Sequence, residues 1–126
     1  KLSEYFICLP HCKADGINWI FYRDRLVFAA EAAGLGDHLE KDHKAPDPPV
    51  PADPQNPTTE ETASIARHPG VVRLWKSEEA IVKQGIVSTI PDSLFLKVKG
   101  EATAGKMWEK VKDEFEKKSK MMTVDL

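Results

Sequence analysis

Cysteine is scarce: Cys8 and Cys12 are the only two in 126 residues. They lie four apart near one end, where a bridge would close almost no loop, so a disulfide framework is excluded and reduced thiols in a cytoplasmic protein are expected. Long apolar runs are missing. None approaches the roughly 20 residues that cross a bilayer, and the opening Lys1-Leu2-Ser3-Glu4-Tyr5-Phe6-Ile7-Cys8-Leu9-Pro10 is too short and too acidic for a secretory signal. A charge surplus is missing as well. With 18 basic and 20 acidic side chains the net charge is −2, which does not favour binding to a phosphate backbone. The seven glycines are dispersed and build neither GxxxxGK nor GxGxxG, so nucleotide binding has no support. No serine or cysteine stands in a recognisable nucleophile motif.

What remains is a folded, water-soluble composition: 41% hydrophobic and 30% charged residues, with a mean hydropathy of −0.41. The length suits one domain over residues 1–126, and surface scaling predicts roughly 6,700 Å² exposed when folded. Six of the nine prolines fall between Pro46 and Pro57. Proline removes backbone donors and pushes its predecessor to extended geometry, so residues 45–57 read as a solvated, polyproline-like surface loop.

Elsewhere the periodicity is helical. Asp15-Gly16 is a turn signal and Asn18 a suitable N-cap for a helix over 18–33, with Trp19, Tyr22, Leu26, Ala30 and Ala33 on one face and Gly34 as its stop. Residues 35–41 fit a short helix. Thr58 and Glu61 have capping-box spacing, and Pro69-Gly70 is expected to interrupt or kink what they start. Over 71–89, Leu74, Trp75, Ile81, Val82 and Ile86, with Ile90 beyond, lie near one stripe, with Lys76, Glu79 and Lys83 off it. Pro91 opens a short helix closed by Gly100. Thr103 caps the last regular pattern, whose stripe is Ala104, Met107, Trp108, Val111 and Phe115, and Ser119 is expected to start a truncated further helix over 119–126. The expected fold is all-α, a bundle of about five to six helices in which Trp19, Trp75 and Trp108 meet in a shared core.

Few residues suggest chemistry. Cys8, His11 and Cys12, with His38 and His43, offer a conceivable soft metal site, or at most a small thiol enzyme. The spacing is wrong for a zinc knuckle, so unligated thiols are expected and no metal or cofactor is assigned. Glu60-Glu61 and Glu78-Glu79 are adjacent carboxylates pointing about 100° apart, better suited to a helix start and a solvated face than to shared acid–base work. The lysines from Lys106 to Lys120 alternate with acids, which describes a salt-bridged surface more than an RNA site. The first helix carries an apolar surplus: Ile20, Phe21, Val27 and Phe28 lie beside the Trp19 stripe, a candidate self-association surface.

Several motifs occur in a recognisable order. Asp15-Gly16-Ile17-Asn18-Trp19, Tyr22, Arg25-Leu26, Gly34-Leu35 and His38-Leu39 resemble the start of the Gag polyprotein domain of copia-type LTR retrotransposons. Trp75, Ala80, Ile86 and Ile90-Pro91-Asp92-Ser93 resemble that family's central helix and its exit, and Thr103-Ala104, Trp108, Val111 and Phe115 its next helix. The resemblance implies a fold like a retroviral capsid N-terminal domain, with Trp19, Leu26, Leu35, Leu39, Trp75, Ile86, Trp108, Val111 and Phe115 as signature core. It implies a non-enzymatic capsid protein whose partners are copies of itself, in a particle enclosing element RNA held through regions outside this chain. Neither a membrane nor a small-molecule substrate is expected. The alternative is a domesticated Gag-derived helical adaptor that binds another protein.

Overall fold

The computed structural model describes the backbone of residues 1–124 and the side chains of residues 1–118. Among them are four α-helices and no strand: α1 (Trp19–Ala32), α2 (Thr59–Val87), α3 (Asp92–Val98) and α4 (Ala104–Val124), with short 3₁₀ helices at Leu2–Phe6 and Gly36–Leu39. The fold is all-α, with fewer helices than the five to six expected. Pro69 does not divide α2, which runs through it. Its missing donor lies where the helix is exposed, which leaves the carbonyl one turn earlier open to solvent. The segment after Gly34 tightens into a 3₁₀ turn and not an α-helix. Ser119 starts nothing new, because α4 continues through it to Val124; residues 125 and 126 of the expected extra helix lie outside the described residues.

Helix ends follow local chemistry. Gly34 adopts φ +76°, letting its own N–H reach Glu31 O at 3.0 Å and Leu35 N–H reach Ala30 O at 2.8 Å, a Schellman closure of α1. Thr58 and Glu61 form the reciprocal capping box of α2. The N–H groups of Thr58 and Ala52 both donate to the Glu61 carboxylate and hold its carboxyl below the usual range, which also ties the proline-rich loop to the start of α2. Thr103 Oγ1 accepts from Lys106 N–H at 3.1 Å. Asn18 behaves otherwise than expected. Its side chain makes no cap bond and instead joins Lys13 N–H to the His11 carbonyl, fixing the loop before α1.

The core gathers the inner face of α1 (Trp19, Tyr22, Leu26, Ala30) against Met107, Trp108, Val111 and Phe115 of α4, with Val82 and Ile86 of α2 and Leu94 and Val98 of α3 closing it. Trp19 stacks on Phe115 at 5.1 Å and meets Trp108 at 5.6 Å. Trp75 is not part of this cluster. It lies half-buried near the middle of α2 beside His38 and His43, so only two of the three indoles share the core. The accessible surface is 8379 Å², above the scaling expectation because the proline-rich loop and the first half of α2 lie largely in solvent.

Thr89, just beyond α2, fastens three elements. Its hydroxyl donates to Gly85 O at 2.8 Å, so the Tyr22 hydroxyl donates to Thr89 Oγ1 at 2.7 Å, and the Thr89 carbonyl accepts from Cys12 N–H at 2.7 Å. Burial pushes the Cys12 thiol from its ordinary 9.0 up to about 12, and burial also raises Tyr22 above its ordinary 10.0. Both groups hold their protons longer when folded, so the stability they confer is whole below about pH 9 and is lost as pH rises through the folded values. The urea midpoint is expected to fall between about pH 8.5 and about pH 10.5, and Tyr22→Phe or Cys12→Ala should each flatten that fall. A midpoint independent of pH in the wild type would contradict the assignment.

Candidate functional site

The outer face of α1 carries several exposed apolar side chains. Ile20, Phe21 and Phe28 are 57%, 66% and 68% exposed, and Ile17, just before the helix, is 65% exposed. Val27 differs from the other three expected surface residues: it is half-buried and packs against the core. The reason is angular, since Val27 lies about 100° from Leu26, at the edge of the inner face, while Phe21 and Phe28 lie about 140° and 160° from it and within about 20° of each other on the outside. Ile17 was not foreseen. Its distance of four residues from Phe21 was the available signal, hidden because it precedes the helix.

A second apolar feature is a groove of about 440 Å³ between the first 3₁₀ helix and α2, lined by Phe6, Ile7, Ala80, Ile81, Gly85 and several uncharged polar residues. A side chain at Gly85 would collide with the Phe6 ring, so glycine there seats Phe6 on α2. No ionisable group lines the groove, whose polar members are Ser3, Ser77, Gln84 and Ser88.

Ionisable groups converge instead beside the N-terminus of α4. Glu79, expected on a solvated face, is 4% exposed. Its Oε2 accepts from His38 Nδ1–H at 2.7 Å and its Oε1 from the first N–H of α4, Ala104, at 3.0 Å. The carboxylate therefore sits at the positive end of a helix dipole. Glu78 also faces inward enough to place Oε1 3.7 Å from His38 Nε2. Next to this pair, the Trp75 indole N–H donates to His43 Nε2 at 2.7 Å, and the two histidine rings meet edge-on at 4.5 Å.

Asp37, His38 and His43 come close enough to suggest a cation, with ligand atoms within 4.8 Å of one another. The hydrogen bonds argue against one. His43 Nε2 spends its lone pair on Trp75, which puts the proton on Nδ1 facing Asp37 Oδ2 at 4.0 Å, so neither nitrogen is free to ligate. The structure thus unites His38 and His43 but adds no cysteine to them among the described residues: Cys12 is buried and Cys8 exposed. What the cluster does is structural, linking the 36–39 turn, α2 and α4.

Neither a family model, nor a curated protein, nor a solved structure matches this chain. Among the described residues no helix is long and apolar enough to cross a membrane.

Two expectations follow from the polar cluster. Glu79→Ala strips the acceptor from a buried histidine and a buried helix N–H, and should lower the unfolding free energy by about 3 kcal/mol or more in urea titrations followed by tryptophan fluorescence. A loss below about 1 kcal/mol would remove the carboxylate from the centre of the fold. Zinc in about tenfold molar excess should leave the melting temperature of the wild type unchanged, since only a ligand that binds the folded state raises it. A rise of several degrees would mean that His43 gives up Trp75 for metal.

Proposed function

We propose that this chain is a structural, non-enzymatic Gag/capsid-like domain that self-associates, of the kind from which a copia-type LTR retrotransposon builds a particle around its RNA. The observation that carries the reading is the row of Ile17, Phe21 and Phe28, with Ile20 beside it, standing in solvent on a helix whose opposite face is locked in the core. Burying one phenylalanine is worth about 1.5 to 3 kcal/mol, too little to hold a pair tightly and enough to drive assembly once repeated across many subunits. The all-helical architecture supports the reading. So does the employment of the convergent ionisable cluster in holding the fold together. The partners are copies of the chain itself, and RNA is held through regions outside it.

Static light scattering and sedimentation over a concentration series test this. The wild type should show a mass rising with concentration, and Phe21→Ala/Phe28→Ala should remain monomeric with an unchanged melting temperature, since both side chains are exposed. A wild type that stays strictly monomeric up to about 1 mM, where even small interfaces associate, would overturn the reading.

A further inference from the structure

We infer that two copies pair through α1 side by side and parallel, each outer phenylalanine meeting its own counterpart across a two-fold axis that runs along the helix. The inference rests on the self-association reading and specifies its geometry. Phe21 and Phe28 stand seven residues apart, the repeat that keeps a row on one seam between two helices, and Ile17 is exposed just before the helix begins. Asp24 and Arg25, both exposed, flank the line through Phe21 and Phe28, each about 50° from it on opposite sides. Glu31 falls on the Asp24 side. One flank of the apolar row is therefore acidic and the other basic.

Those flanks decide the orientation. In a two-fold pair of parallel helices, the left flank of one copy faces the right flank of the other, so Asp24 approaches Arg25 of the second copy, twice by symmetry. In an antiparallel pair each flank faces itself, which sets Asp24 against Asp24 and Arg25 against Arg25, and like charges across an interface are costly. Arg23 Nε already donates to Asp24 Oδ1 at 3.0 Å, which leaves Oδ2 without a partner among the described residues and available across the seam. The contact is small, a few helical turns wide, in the class of interfaces below about 1,200 Å² that associate weakly.

Cysteine cross-linking reads the geometry directly, in a Cys8→Ser background because Cys8 is exposed while Cys12 is buried. Under mild oxidation at a concentration where the protein self-associates, Phe21→Cys alone should form a disulfide dimer, and so should Phe28→Cys alone. In the antiparallel pair the like positions lie about 10 Å apart along the axis, so neither single variant would cross-link and only their mixture would. Charge reversal supplies a second reading. Asp24→Arg should weaken dimerisation at least tenfold, and Asp24→Arg/Arg25→Asp should restore it, because the flanks are again opposite. Cross-linking only in the mixture, or no restoration by the double reversal, overturns the parallel pairing. If Phe21→Ala/Phe28→Ala still abolishes association, the self-association reading survives that outcome. A wild type that never associates overturns both.

Discussion

The buried carboxylate of Glu79 is the constraint to which the other elements are fitted. A charge taken out of water is tolerated only if its oxygens are satisfied, and both are, one by His38 and one by the first peptide N–H of α4. Those two donors come from segments far apart in the chain, so satisfying the carboxylate fixes where the 36–39 turn and the start of α4 must sit on α2. The backbone approach at that point is so close that a side chain at Gly105 would run into the Glu40 carbonyl. With the start of α4 pinned, Trp108 and Phe115 arrive one and three turns later against Trp19. The aromatic cluster contributes the largest side chains of the core, and the carboxylate supplies their register.

The cluster carries one cost. Among the described residues Trp19 Nε1 is buried without a hydrogen-bond partner, a penalty of about 1 to 3 kcal/mol. Rings of Tyr22, Trp108 and Phe115 surround the indole at 5.1 to 6.0 Å, and aromatic pairs of this kind add about 0.5 to 1.5 kcal/mol each beyond area burial. Two or three such contacts offset the orphaned donor. An indole placed by packing alone, with no bond to hold its nitrogen, depends on α4 being set correctly by other means, which returns the weight to Glu79.

Much of this arrangement was readable beforehand because its causes are local. The Thr58 and Glu61 box, the Gly34 stop and the stripes of α1 and α4 depend on residues within a turn or two of each other, and they stand where spacing put them. Three features were not readable, each for a nonlocal reason. Glu79 looks solvated by its own neighbours, and only the arrival of His38 and of the α4 N-terminus makes burial affordable. Trp75 looks like core by its stripe, but α2 outruns the bundle, so the indole finds His43 and not the other tryptophans. Pro69 reads as a break, yet a helix capped at one end and packed at the other continues through a lost bond on its exposed side. At the candidate surface, Ile20, Phe21 and Phe28 were legible as apolar surplus; that Val27 turns inward required knowing which side of α1 the core occupies.

The exposed row on α1 also gains from what lies behind it. Association costs the entropy of every side chain and segment that must be ordered, and here the ordering is done at folding. Trp19, Tyr22, Leu26 and Ala30 are buried along the inner face, the Tyr22 hydroxyl is bonded to Thr89, and the helix end is closed at Gly34. The outer phenylalanines therefore stand on a rigid rod with two side-chain torsions each to lose. A contact on such a rod would be weak because it is small, yet directional, because the inner face is already fixed by its packing. For the assembly proposed above, weak and directional is the combination that would let a lattice of many copies correct misplaced subunits before closing, whereas a strong contact at this position would trap the first encounter.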